Sequence, residues 1–156
     1  YGFNIYLEYK NFDFTAFFQG VQGVDIISDL KKETDIWAGL NIGFLNKGRR
    51  LLDAWSATNP NSNIPAVSLS DNNNEKRVSS YWVENGSYLK LRTVQIGYNV
   101  PKSFAQKLAM ERLRFYLSAQ NLFTVKSSSF TGVDPENPNY GYPIPLNITF
   151  GLNVTF

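Results

Sequence analysis

Neither cysteine nor histidine occurs among the 156 residues, and methionine occurs once. Without cysteine there is no disulfide framework, thiol nucleophile or thiolate metal ligand. Without histidine, the usual Ser–His and Cys–His catalytic arrangements are excluded as well. No run of about 18 or more apolar residues exists, so no segment reads as a transmembrane helix. A charge excess is also missing. Fifteen Lys and Arg face thirteen Asp and Glu, and the net charge of +2 is scattered rather than striped, which argues against a nucleic-acid partner. No signal-peptide pattern stands at Tyr1, and the chain does not begin with Met, so it reads as a mature or cut piece. The carboxylate pairs Asp25/Asp29 and Asp134/Glu136 read as solvated loop charge, because hydrolysis needs a fixed separation across a cleft. Asp71, set among asparagines, does not follow a calcium-loop spacing. No catalytic residue, metal or cofactor is expected, and the chain is not read as an enzyme.

Aromatic residues, by contrast, reach 15%, with nine Tyr and twelve Phe. The most regular stretch is residues 144–156. Ile144, Leu146, Ile148, Phe150, Leu152, Val154 and Phe156 alternate with Pro145, Asn147, Thr149, Gly151, Asn153 and Thr155. A period of two sustained this long is a strand with one apolar and one polar face. A tilted strand of about 9 to 11 residues crosses a bilayer, with large aliphatic and aromatic groups toward lipid and small polar groups toward water. A long strand in a soluble sandwich or barrel would show the same alternation.

Further strands are predicted at about 2–10, 12–20, 81–100 and 112–123. The first two, joined at Asn11, form an antiparallel hairpin. Phe17 falls on the polar side of its strand. In 81–100 the phase of Leu89 and Leu91 differs from that of Val94, Ile96, Tyr98 and Val100, which predicts either a bulge near Arg92–Thr93 or an extension with its opposite face buried. Residues 102–110 have Phe104, Ala105 and Leu108 at helical spacing. Leu113, Phe115, Leu117 and Ala119 then alternate with Arg112, Arg114, Tyr116, Ser118 and Gln120. Two long connections remain, about 21–80 and 124–143. The first carries short helical stretches at 36–45 and 49–55 and a polar tip at 70–80. Links between strands thus alternate between short and long, the pattern of outer-membrane barrels, whose short turns lie on the periplasmic side. Five strands cannot close such a barrel, which needs about eight, and lipid tolerates no open sheet edge. On the membrane reading the remaining strands must come from elsewhere. A soluble all-β binding or structural module, such as a lectin-like sandwich, is the alternative.

Several separated segments bear on this choice. They are Glu84-Asn85-Gly86-Ser87-Tyr88-Leu89-Lys90-Leu91-Arg92, Ile96-Gly97-Tyr98-Asn99-Val100-Pro101, Leu113-Arg114-Phe115-Tyr116 and Ser118-Ala119-Gln120-Asn121-Leu122-Phe123. With them go Asp134-Pro135-Glu136, Asn11-Phe12-Asp13, Phe17-Phe18-Gln19-Gly20 and the ending Thr149-Phe150-Gly151-Leu152-Asn153-Val154-Thr155-Phe156. In this order they closely resemble the C-terminal region of the SusC/RagA family of TonB-dependent outer-membrane transporters. The resemblance runs over essentially the whole chain and is weakest between Ser28 and Val78. It implies an all-β fold, the last five antiparallel strands of a large transmembrane β-barrel of about 22 strands. It also implies import of glycan or peptide fragments across the outer membrane. The implied partners are the N-terminal remainder of the same barrel with its plug domain, a SusD-like surface lipoprotein as lid, TonB acting through the missing part, and outer-membrane lipid. On this reading Phe115, Leu117, Ile148, Phe150 and Leu152 face lipid, and Phe156 is the terminal aromatic signal for barrel assembly. Phe17 packs against a plug or loop within the lumen. Trp37, Trp55 and Tyr140, aromatic and loop-borne, are the candidates for substrate contact.

Overall fold

A computed structural model of the chain describes residues 1–35, 47–68, 74, 77–139 and 141–156. The described residues divide into two compact units, Tyr1–Gln22 with Tyr88–Lys126 and Ile144–Phe156, and Gly23–Ser87 with Ser127–Pro143.

The first unit is one antiparallel sheet of five strands. In chain order these are β1 (Gly2–Tyr9), β2 (Phe12–Val21), β5 (Tyr88–Asn99), β6 (Arg112–Lys126) and β7 (Asn147–Thr155), each paired with the next as a meander. The register explains why the alternation was so legible. Directly opposed residues share a face. The rows Tyr9–Phe12–Tyr98–Phe115–Leu152 and Leu7–Phe14–Ile96–Leu117–Phe150 therefore run across all five strands on the apolar side. Ile5–Ala16–Val94–Ala119–Ile148 follows, and Phe3–Phe18–Leu91–Phe123 completes the series. Phe3 stacks on Phe18 at 4.7 Å, and Phe12 meets Tyr98 at 4.8 Å.

Continuity of that face depends on one irregularity. Between Leu91 and Thr93, β5 carries an extra residue, Arg92, relative to β2, where Phe17 and Phe18 are adjacent. Regular alternation would have put Arg92 on the apolar side and Leu91 and Leu89 on the polar side. The bulge reverses both assignments, and Arg92 Nε donates to Gln19 Oε1 at 2.9 Å. The same row is longer again on β6, where Asn121 and Leu122 lie between the paired residues Gln120 and Phe123. Asn121 accommodates this with φ 56, a left-handed conformation that asparagine tolerates better than most side chains. Of the two explanations for the phase change, the bulge is the one observed.

The predicted strand boundaries shift where local chemistry intervenes. The β1–β2 link is Lys10 and Asn11, with Lys10 at φ 54. The stretch expected at 81–100 divides into a 3-10 turn (Ser80–Trp82), β4 (Val83–Asn85) and β5. Asn85 Oδ1 accepts from Ser87 N at 2.8 Å and turns the chain between the last two. β6 runs to Lys126 rather than 123, and β7 begins at Asn147 rather than 144. Pro145 has no N–H for the ladder, and its carbonyl accepts from Asn121 Nδ2 at 3.3 Å. The helix expected at 102–110 spans Lys102–Lys107 and ends with Ala109 at φ 55.

The second unit gathers the two long connections. β3 (Asp25–Ile27) pairs with β4, and α1 (Asp29–Thr34) follows, N-capped by Ser28, whose Oγ accepts from Lys31 N at 3.3 Å. Arg49–Asp53 forms a 3-10 turn, so the short helical stretch predicted at 49–55 is present in this tighter form. The stretch predicted at 36–45 lies outside the described residues, as does most of the tip at 70–80. Trp82 and Phe130 are buried in this unit, and Trp82 Nε1 donates to Arg77 O at 3.0 Å.

Candidate functional site

The two faces of the sheet differ sharply. On the apolar face many of the large side chains are exposed, although Leu91 is buried. Ile148 is 65% exposed and Phe150 70%, and Phe115, Leu117 and Leu152 are exposed too. An open apolar surface spanning five strands is far larger than the scattered exposed side chains of ordinary soluble domains. Phe156, next after the last ladder residue, is also exposed.

The opposite face is polar and organised. Arg114 holds Asp13 in a two-pronged pair, Nε to Oδ1 at 3.0 Å and Nη2 to Oδ2 at 2.5 Å. Asn99 Nδ2 donates to the same Oδ1 at 3.2 Å, and Arg112 Nη2 donates to Asn99 Oδ1 at 3.2 Å. Four side chains from three strands thus form one hydrogen-bonded line at the short-turn end of the sheet. Arg114 reaches Asp13 across β5 only because Gly97 stands between them, where a Cβ would collide with both groups. The same row continues through Tyr116 to Gly151, over which the Tyr116 ring lies, an aromatic side chain covering a strand glycine. Phe17 is on this polar face, opposite Asn4 and Thr93, as its phase indicates.

The loop unit is held by buried polar groups. Asp35 is fully buried and accepts from Arg50 Nε at 2.5 Å, Tyr81 Oη at 2.7 Å and Thr34 Oγ1 at 3.1 Å. Glu84, also buried, pairs with Lys31 Nζ at 3.0 Å and accepts from Thr131 N and Oγ1 at 2.9 and 2.8 Å. Burial pushes the Tyr81 hydroxyl upward, and the hydrogen bond and charge of Asp35 push it the same way. Burial also acts to raise Glu84, but the Thr131 hydrogen bonds and the Lys31 ammonium outweigh it and hold the carboxyl below its ordinary value. Asp134 corrects another expectation: it is buried, not solvated, and its Oδ1 accepts from Glu136 N at 3.0 Å to shape a turn. Sequence signals for these roles were slight. The Ser28 cap ahead of a charged helix was the clearest.

Of the three loop aromatics, Trp55 is half-exposed beside the turn in which Asn59 Nδ2 and Ser62 Oγ both donate to Asp53 O. Trp37 and Tyr140 lie outside the described residues. The described residues contain no group of three or more potential metal-ligating carboxylates and no helix long and apolar enough to cross a membrane, which says nothing of a crossing by strands.

A sheet polar on one face, exposed and apolar on the other, is consistent with part of a larger β-barrel fold. The comparisons agree. No family model matches. TonB-dependent receptors P3 and P26 of Formosa agariphila are 36% and 34% identical to the chain over 99% and 100% of its length. The RagAB peptide transporter superposes on 99% of the chain with a TM-score of 0.75 at 27% identity, and the RagAB peptide importer in its open-open state with 0.79 at 26%. The chain spans only 16% and 17% of those receptors and 17% of each solved chain. It is therefore homologous to the TonB-dependent receptor and RagAB family, and matches a fragment of a much larger outer-membrane protein.

Proposed function

We propose that the chain forms the last five strands and two outer loops of a SusC-like TonB-dependent importer, whose barrel of about 22 strands carries glycan or peptide fragments across the outer membrane. The observation that carries this reading is the exposed apolar face, unbroken over five strands and preserved through the Arg92 bulge. In lipid such a face needs no partner, whereas in water it would need a cover of equal size. The polar face then lines the lumen, where Phe17 and the Asp13–Arg114 line meet the plug. Phe115, Leu117, Ile148, Phe150 and Leu152 face lipid, and Phe156 serves barrel assembly.

The free edges of β1 and β7 require neighbours, since each unsatisfied backbone group in hydrocarbon costs several kcal/mol. On this reading the N-terminal remainder of the barrel supplies them, together with the plug and the TonB-contacting segment. A SusD-like lipoprotein covers the outer side, and Trp37, Trp55 and Tyr140 are offered to substrate or lid. The soluble β-module is disfavoured by the same exposed face.

Topology tests the proposal. An epitope inserted within residues 71–75 of the full-length protein should be detected on intact cells, and one at Lys107 only after permeabilisation. Detection of the second on intact cells, with the first silent, would reverse the orientation. A water-soluble monomer of this chain alone, unfolding cooperatively, would refute the membrane reading.

A further inference from the structure

The signature segment Glu84-Asn85-Gly86-Ser87 has no part in the barrel wall, yet each residue in it has a defined contact. Glu84 joins Lys31 of α1 to Thr131 of the second loop. Thr131 also meets Ser28, its Oγ1 lying 3.2 Å from Ser28 Oγ. Asn85 turns the chain by accepting from Ser87 N. Gly86 leaves room for Ile26, whose Cδ1 would stand 2.9 Å from an added Cβ, and its N–H donates to Val24 O at 2.8 Å. Ser87 ties three chain segments together. Its Oγ accepts from Gly23 N at 3.0 Å, and its carbonyl accepts from Ser127 N at 2.9 Å.

We propose that Glu84 and Thr131 form a clasp, with Ser87 at its root, that makes the two long loops a single coupled body. A ligand that orders or displaces one loop then carries the other with it, because Glu84 and Ser28 are buried and breaking their link to Thr131 would forfeit hydrogen bonds to a buried charge. Glu84 is the pivot. It is buried to 4% exposure, and its three bonds reach both loops. The clasp is a positioning device, and its significance for uptake rests on the proposal that both loops lie at the outer mouth of an importer.

Hydrogen exchange on the full-length protein in detergent tests the coupling directly. Thr131→Val removes the hydroxyl shared by Glu84 and Ser28 while keeping size. Exchange should then rise by about tenfold or more both in residues 127–139 and in residues 24–35, as expected for losing hydrogen bonds to a buried charge, with the sheet strands unchanged. Thr131→Ser, which restores the hydroxyl, should return both segments to wild-type rates. Ser28→Ala, made from the opposite side, should raise exchange in 127–139. A rise confined to the mutated loop in both Thr131→Val and Ser28→Ala, or no rescue by Thr131→Ser, would overturn the clasp. Heat-modifiable mobility of the same samples reports the barrel separately, so loss of the importer reading and loss of the clasp give different results.

Discussion

Placing an arginine at Phe150 probes the two-faced wall most directly. Phe150 is in the middle of the apolar series of β7, between Ile148 and Leu152, opposite Leu117 and with its ring 6.3 Å from that of Phe115. It is 70% exposed, so little of its present stability comes from packing within this chain, and its replacement opens no deep cavity. On the proposed lipid-facing assignment the cost arises instead from setting a guanidinium into hydrocarbon, about 2 to 4 kcal/mol for a basic residue near the bilayer midplane. That corresponds to a folding constant about 30- to 700-fold lower. Thr149 is one residue away on the other face, opposite Ser118, and Thr149→Arg should cost well under 1 kcal/mol if that face meets water. The assay is urea titration of the full-length barrel in lipid vesicles, read by heat-modifiable mobility. Equal destabilisation by Phe150→Arg and Thr149→Arg would refute the assignment of faces. A larger effect at Thr149 would invert it.

Three other outcomes follow from particular contacts. Gly151→Ala must displace the Tyr116 ring, and overpacking of this kind should cost about 1 to 3 kcal/mol in the same titration. Asp13→Asn leaves Arg114 without its charged acceptor and should cost about 1.5 to 3 kcal/mol, and Asp13→Glu, one methylene longer beside Gly97, should recover part of it. For pH, Glu84 titrates below its ordinary value of 4.5, so its contribution is fully present above that value and is lost as pH falls through the lower, folded one. Protection of residues 127–139 should hold from pH 7 to 5 and fall only below 4.5, and loss already at pH 6 would contradict the pairing with Lys31.

What the sequence made legible was whatever repeats. Residues 144–156 and 112–123 displayed their faces because a strand writes its environment at every second position. Even the bulge was readable, since Leu89 and Leu91 fell out of phase with Val94 and Ile96, although a buried extension would have left the same trace. The sequence did not reveal how far neighbours extend a strand. The pairing of Leu89 with Val125 and Lys90 with Thr124 carries β6 beyond the point where its own alternation fades. The loop unit was the least legible. Lys31, Asp35, Glu84 and Thr131 are charged or polar residues scattered along the chain, and nothing periodic announces that they meet. Lys31 and Tyr81 are 50 positions apart and Ser28 and Thr131 are 103 apart, so only the folded chain shows them together.

The bond from Gly23 N to Ser87 Oγ has a kinetic side as well. It joins points 64 positions apart, immediately outside the paired ends of β2 and β5. Bringing together the ends of so long a flexible segment carries a length-dependent entropic cost of about 4 kcal/mol. If the loop unit condenses first, that cost is met before the strands meet, and β2 and β5 can zip from Val21 and Tyr88 as though joined by a short turn. Nucleation would then start at the loop end of the sheet, and variants that loosen the Ser87 junction should slow barrel assembly more than they weaken the finished wall.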